Sequence, residues 1–392
     1  MSHLEPKKIG IYIWELPYRY GGTESCAVKF CYALQQIYPE CSVSFVAEVY
    51  NKADLISDSD LVKKLNDYSG LNLDEKRTHL KPVFCSKKSK ISKKIMYSKI
   101  QNSSKEYDLF FYCSRGNFHF KAKKNIAIIH FPVWPIVQEK QKEGKFDIPF
   151  LTKLKDKKYA KSYDLFLPNS KYTEKWLKII RPDINAKKII QLYHPVEQIQ
   201  NLNLPKQKAI LTCSRFDKTK KLESLIEAYK SSDFLTKNYE LWLCGKRDID
   251  DKDYPERLKK LTEDLNVKFF ISVSHEELIK LYNQATFFWH SKGFGIDEQK
   301  APDQLEHFGM STLEAMSAGC IPIVINKGGQ PEIVTENSGF CWNSTQELIQ
   351  KTEEIAKDEQ KLKSYSENAK NRAKEFNMPK FIEELKMILK IN

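Results

Sequence analysis

The sequence predicts an α/β chain built from two doubly wound domains, and three observations carry that prediction. A strand from Lys8 to Ile13 leads through Gly21 and Gly22 into a helix running to Leu34. A polar stretch without period, residues 198–207 (Q-I-Q-N-L-N-L-P-K-Q), interrupts the pattern, and strand, loop and helix restart at Ala209. Further on, a short helix closes at Gly319 and gives way to Ile321-Pro-Ile-Val-Ile325, a solid apolar run of the kind buried on both faces of a parallel sheet. The expected division is residues 1–200 and 201–375, with a helical tail over 376–392.

Taken in order, Lys8-Ile-Gly-Ile-Tyr-Ile13 is the first strand, and Gly21-Gly22 lets the backbone approach a ligand with no Cβ in the way. The G-x-G-x-x-G fingerprint is absent, which argues against a dinucleotide-dependent dehydrogenase. Ser42–Ala47 and Tyr107–Cys113 read as further strands. Asn125-Ile-Ala-Ile-Ile-His130 is a buried strand ending in histidine, and Pro132 turns the chain at once. A histidine satisfied at a strand end is the commoner case, but in open α/β sheets ligands sit beyond the carboxyl ends of the strands, so His130 is placed to reach one. Tyr163 to Trp176 gives a strand, an Asn-Ser cap and a helix.

In the second half, Ala209–Cys213 is a strand followed by a basic loop with Arg215, Lys220 and Lys221, and then a helix from Leu222 to Lys230. Strands follow at 239–245, 267–273 and 286–290, with helices at 255–265 and 275–285, the last capped by Ser274. Residues 291–305 separate the last of these strands from Glu306, and Gly293 and Gly295 make them a lid candidate. Glu306-His-Phe-Gly309 then forms a loop aimed at a helix N-terminus. Ser311 and Glu314 are spaced as a capping box opening that helix. Such a terminus offers free N–H groups and partial positive charge, a natural seat for a phosphate or a nucleotide sugar. Glu314 also reads as no more than a capping residue and Glu306 as a solvated carboxylate, and the residues around them decide against that reading. Gly328-Gly-Gln-Pro331 closes the stretch with a glycine turn and a proline in the first helical turn.

Composition bounds the partners. Hydrophobic content of 41% and the two-domain length suit a globular protein with a sizeable core. The apolar run after the charged N-terminus is too short for a signal or anchor. Nine cysteines lie scattered without a C-x-x-C pair or a neighbouring histidine set, so neither a zinc site nor a disulfide framework is expected, and a reducing cytoplasm is. A net charge of +13 favours anionic partners. Lysines cluster at 87–105 and 140–161; such runs read first as solvated surface.

These motifs together resemble the retaining glycosyltransferases of GT-B type, family 4 (glycosyl transferases group 1). The E-x7-E pair Glu306 and Glu314, Arg-x4-Lys at Arg215 and Lys220, Gly21-Gly22, the Asn-Ser helix start and the Gly328-Gly329 turn occur in the family's order and cover nearly the whole chain. The chain departs from the pattern at Ser214 and Lys221, where many members carry glycine, and in the long 291–305 insertion. The resemblance implies two Rossmann-like domains facing a cleft, an acceptor-binding first domain, a nucleotide-sugar-binding second domain and a C-terminal helix returning to the first. It implies catalytic roles for Glu306 and His130. Donor binding falls to Gly21, Gly22, Arg215, Lys220, Phe308, Gly309, Met310, Ser311 and Glu314, with Lys220 and Lys221 both open as the diphosphate contact. Paired cations can stand in for a metal on a leaving diphosphate, so no metal and no cofactor beyond the nucleotide sugar is expected.

The expected function is hexose transfer from a UDP- or GDP-sugar to a glycan acceptor, lipid-linked, in cell-surface polysaccharide or glycolipid assembly. A soluble enzyme making a small glycoside and a non-catalytic nucleotide-sugar or glycan-binding subunit are the alternatives. Ile91, Ile95 and Met96 interleave with Lys87, Lys90, Lys94 and Lys99, which suits a helix lying on an anionic membrane, so the expected location is the cytoplasm with docking on the inner face of the plasma membrane. No nucleic-acid partner is expected.

Overall fold

The structure is a computed structural model that describes residues 5–14, 21–51, 55–84, 90–113, 118–132, 158–249 and 251–391. Its chain divides into two compact units, Met1–Pro195 with Met378–Asn392, and Val196–Asn377.

In the first unit the elements are β1 (Lys8–Ile13), α1 (Gly22–Ile37), β2 (Ser42–Val49), α2 (Asp58–Ser69), β3 (Thr78–Phe84), α3 (Lys90–Ser103), β4 (Leu109–Tyr112), β5 (Lys124–Ile129), β6 (Leu165–Pro168) and α4 (Lys171–Ile180). The strands pair in parallel in the order β3-β2-β1-β4-β5-β6. Pleating sends successive residues to opposite faces. Ile9, Ile11 and Ile13 therefore join one core cluster, whereas Tyr12 joins another on the far face with Val46 and Phe110. Both faces are covered, which is why these strands are apolar runs rather than alternating ones. The Asn-Ser helix start forms as expected, with Ser170 Oγ accepting the Thr173 amide at 3.0 Å.

β3 and α2 escape the sequence reading. β3 is an edge strand carrying His79, Lys81 and Pro82, and most of its residues are partly or fully exposed. It has no solid apolar run because only one edge and part of one face are covered, and proline is tolerated there because an edge strand leaves one side unpaired.

In the second unit the elements are β7 (Gln207–Cys213), α5 (Leu222–Lys230), α6 (Asp233–Asn238), β8 (Glu240–Gly245), α7 (Tyr254–Lys260), β9 (Val267–Ile271), α8 (His275–Gln284), β10 (Ala285–His290), α9 (Met310–Ser317), β11 (Ile321–Ile325), α10 (Gln330–Ile333), β12 (Phe340–Trp342), α11 (Thr345–Ala356) and α12 (Glu359–Ala373). The strand order, β12-β11-β10-β7-β8-β9, is the first unit's order read from the other edge, again all parallel. Ser274 caps α8 by accepting the Glu277 amide at 3.1 Å, and all five residues of β11 are buried. The closing helix α13 (Met378–Ile391) belongs to the first unit, where Phe381 packs edge-on against Phe30 of α1 with ring centroids 4.9 Å apart.

In each sheet the order reverses direction between two central strands, β1/β4 and β7/β10. Crossovers leave to opposite sides there, opening a crevice at the carboxyl ends of those strands.

Candidate functional site

The second unit gathers its charged side chains at that crevice. β7 runs into Ser214 and Arg215, β10 ends on His290, and the chain returns through Glu306 to the N-terminus of α9. Glu306 Oε2 lies 3.1 Å from Lys220 Nζ, 3.6 Å from His290 Nε2 and 3.7 Å from Lys292 Nζ. The side chains of Glu306 and both lysines are 15–20% exposed, so the group is largely withdrawn from solvent. Burial alone would raise the Glu306 carboxyl, but Lys220, Lys292 and His290 outweigh it and hold it well below the usual carboxylate range. Burial pushes the His290 imidazole down in spite of Glu306, and it pushes the Lys292 ammonium down as well. His290 Nδ1 is buried without a hydrogen-bond partner. With His290 neutral, one carboxylate faces two ammonium groups, a net positive pocket suited to an anion.

Lys220 and Lys221 separate cleanly. Lys220 closes a single 3-10 turn, Lys218–Lys220, and its ammonium points at Glu306. Lys221 sits at φ 57°, in the left-handed region, where it starts α5. Ser291 Oγ donates to both the Lys220 and the Lys221 carbonyls, at 2.9 and 3.1 Å, tying the turn to the end of β10. Arg215 is mostly exposed, held by Asp248 Oδ2 at 2.8 Å and Asp217 Oδ2 at 3.4 Å.

The start of α9 differs from the sequence expectation. Gly309 is the N-cap at φ 116°, the helix begins at Met310, and no side chain caps it. Ser311 therefore falls inside the first turn, and the Ser311–Glu314 capping box does not form. A Cβ at position 309 would come within 2.8 Å of Gln330 Nε2 in a conformation that L side chains rarely adopt, which fixes glycine there. The first bond back along the helix is Leu313 N–H to the Gly309 carbonyl at 3.2 Å, so the amides of Met310, Ser311 and Thr312 lie ahead of it. Glu314 instead accepts the Tyr282 hydroxyl at 3.0 Å. Phe308 is buried, its ring 6.0 Å from that of Phe376.

Gly328 and Gly329 set the Glu306 backbone. Gly329 N–H donates to the Glu306 carbonyl at 2.8 Å, and a Cβ on Gly328 would stand 2.1 Å from that same oxygen. The 291–305 stretch is a packed loop: Leu305 is fully buried, Phe294 meets Trp342 at 5.3 Å between ring centroids, and Lys327 Nζ donates to the Ile296 carbonyl. Lys292 enters the site from this loop, and His290 from the strand before it. The sequence reading assigned a role to neither; a lysine two residues beyond a buried strand end was the available signal.

In the first unit Gly21 precedes α1 with φ −138°, ordinary extended backbone, and its amide donates to Glu24 Oε2 at 2.9 Å; Gly22 is the first helical residue. His130 follows β5, with Nε2 3.8 Å from Cys113 Sγ and its ring edge-on to His194 at 5.1 Å. His194 Nε2 lies 3.5 Å from Cys26 Sγ, and burial pushes that imidazole down to about 3.

Of the two lysine runs, residues 87–89 and 140–157 lie outside the described residues, as do the side chains of Lys90, Ile91 and Lys93. Within α3, Met96 and Ile100 are buried in the unit's own core, which corrects the expectation that Met96 helps present an apolar face outward; Ile95, Lys94 and Lys99 are exposed. Among the described residues no helix is long and apolar enough to cross a membrane.

Comparison with known proteins finds relatives of this chain. Residues 196–372, nearly all of the second unit, match the family model for glycosyl transferases group 1. The chain is similar to the GDP-Man:Man(3)GlcNAc(2)-PP-Dol alpha-1,2-mannosyltransferase of Dictyostelium discoideum, at 30% identity over 167 residues, 41% of this chain and 31% of that protein. It is also similar to a probable sucrose-phosphate synthase of Thermosipho melanesiensis, at 25% identity over 165 residues, 41% of this chain and 35% of that protein. The chain thus spans about a third of the length of these two relatives. Among solved structures, HepE of Anabaena in complex with UDP and glucose superposes with a TM-score of 0.69 at 16% identity, covering 98% of this chain and 100% of that one. A glycosyltransferase from Rickettsia africae superposes with a TM-score of 0.70 at 17% identity, covering 98% of each chain. At these identities the likeness speaks for the fold.

Proposed function

We propose that the protein is a retaining, family 4 glycosyltransferase that moves a hexose from a UDP- or GDP-sugar to a glycan acceptor. The observation that carries this reading is the Glu306 carboxylate, kept ionised between Lys220, Lys292 and His290 at the carboxyl ends of β7 and β10. Breaking the bond between a sugar and a nucleoside diphosphate moves negative charge onto the diphosphate and positive charge onto the anomeric carbon. A site for that step needs cations on one side and a carboxylate on the other, fixed beforehand.

Lys220 and Arg215 take the diphosphate, Lys220 as a point charge and Arg215 as a fork released from Asp248 and Asp217. The amides ahead of Leu313 at the α9 terminus add fixed N–H donors. Glu306 faces the sugar and offsets the charge growing on its ring, and Lys292 keeps that carboxylate ionised once Lys220 turns to the diphosphate. Glu314, positioned by Tyr282, accepts the ribose hydroxyls. No divalent ion is needed on the diphosphate, because these cations occupy its place. The relative acting on a dolichol-linked glycan supports a lipid-linked acceptor for this chain.

A panel of UDP- and GDP-hexoses, followed by release of nucleoside diphosphate with and without EDTA and added Mg²⁺, tests the proposal. Release from at least one donor at a rate unmoved by EDTA or Mg²⁺ is expected. Binding of donors without turnover, or strict dependence on Mg²⁺, would overturn it.

A further inference from the structure

The first unit holds a second cluster, at its own switch point. Cys26 comes from the second turn of α1, behind β1; Cys113 directly follows β4; His130 directly follows β5; and His194 lies two residues before the second unit begins. One ligand atom each from Cys26, His130 and His194 falls within 4.8 Å of the others. Cys26 and His194 are buried and His130 is half-buried, so the group is largely withdrawn from solvent.

One of the ligand pairs already stands at the spacing a zinc ion sets. Zn–S and Zn–N bonds of about 2.3 and 2.0–2.1 Å at a tetrahedral angle set sulfur and nitrogen ligands roughly 3.5–3.6 Å apart. Cys26 Sγ and His194 Nε2 stand 3.5 Å apart, and Cys113 Sγ lies 3.8 Å from His130 Nε2 on the flank of the same group. The donor set is soft sulfur with imidazole and without a carboxylate, which selects zinc over magnesium or calcium.

We propose that Cys26, His130 and His194 bind one Zn²⁺ ion, with Cys113 adjoining the fourth position. Binding replaces the Cys26 thiol proton, which leaves to solvent, with a zinc–thiolate bond. The ion joins α1, the end of β5 and the segment that closes the first unit, three parts of the chain brought together only by folding. His130, expected from the sequence to be catalytic, then serves as a ligand. The test does not depend on the proposed transfer reaction, because metal content is read without any sugar donor.

The test uses the untagged full chain, reconstituted with Zn²⁺ and dialysed, with metal counted by atomic emission. About one zinc per chain is expected. Cys26→Ser and His194→Gln should bind at least about 100-fold more weakly, beyond what loss of a mere outer-shell partner costs, while Cys341→Ser in the second unit retains the ion. Co²⁺ loaded into the wild type should show thiolate-to-cobalt charge transfer and tetrahedral d–d bands, a readout that does not depend on any variant folding. Less than about one tenth of a zinc per chain, a Co²⁺ spectrum of octahedral oxygen ligation, or equal zinc in wild type and both folded variants would overturn the assignment.

Discussion

Replacing Glu306 by glutamine should move diphosphate binding and sugar transfer in opposite directions. In the wild type Lys220 Nζ is 3.1 Å from Glu306 Oε2. At an effective dielectric of ~20 that pair is worth about 5 kcal/mol before screening and before the repulsion from Lys292 is counted. A diphosphate must compete with Glu306 for Lys220. Glutamine keeps the shape, removes the competing charge and takes the local balance of two ammonium groups and one carboxylate to two ammonium groups alone. With the side chains 15–20% exposed, only a fraction of the Coulomb energy survives. A gain of about 1 kcal/mol, or roughly fivefold tighter UDP or GDP, is expected. Transfer should fall by about 2–4 kcal/mol, roughly 30- to 1000-fold in kcat, because the charge facing the sugar is gone. Calorimetric titration of UDP and GDP, with turnover measured on the same preparations, reads both effects. If Glu306→Gln weakens diphosphate binding tenfold and leaves kcat at saturation unchanged, Glu306 serves only to hold Lys220, and the sugar role fails.

Arg215→Ala and Lys220→Ala should each lower turnover at least tenfold with the fold intact by circular dichroism, whereas Lys221→Gly should leave turnover near wild type and raise stability by up to about 1 kcal/mol, since position 221 sits at φ 57°; equal losses at 220 and 221 would refute the separation. Glu314→Ala should weaken free nucleotide and cost about 1 kcal/mol of stability by removing the carboxylate acceptor of the buried Tyr282 hydroxyl, and Tyr282→Phe should restore most of that stability in the double variant; additive losses would show that the two groups are not partners. The Glu306 carboxyl titrates below its unfolded value of about 4.3, so its contribution to stability is complete above that pH and is lost as pH falls through the folded value. Denaturant titrations should therefore show wild type losing more stability than Glu306→Gln below about pH 4, and parallel losses would contradict the ionised cluster.

The strands of both sheets were legible wherever both faces are covered. Lys8–Ile13 and Ile321–Ile325 are observed as read, because a doubly buried parallel strand leaves an uninterrupted apolar run. β3 was missed for the converse reason: an edge strand half in solvent keeps lysine and proline and loses the run. At α9 a good local signal was overridden. Ser311 and Glu314 have capping-box spacing, but Gly309, pressed against Gln330 and Ile333, takes the cap position, and Glu314 turns to Tyr282.

Candidate site residues carried by loops with fixed spacing, Arg215, Lys220 and Glu306, could be named from sequence. Their neighbours His290 and Lys292 could not, because whether a fifteen-residue loop folds back on its own strand end depends on Leu305, Phe294 and Lys327 finding their places in the packed unit. Cys26, His130 and His194 were invisible as a group for a similar reason. Their separations along the chain match no ligand motif, and only the strand order at the first unit's switch point brings them together.

The central claim is that the second unit holds a nucleotide sugar with its diphosphate on Lys220 and its sugar on Glu306. The most direct test is a single-turnover measurement with the donor that the panel identifies, comparing wild type, Lys220→Ala and Glu306→Gln at saturating enzyme. Donor affinity should fall in Lys220→Ala and hold or rise in Glu306→Gln, while the rate of the chemical step falls at least tenfold in both. A Glu306→Gln enzyme that turns over the bound donor at the wild-type rate would contradict the account.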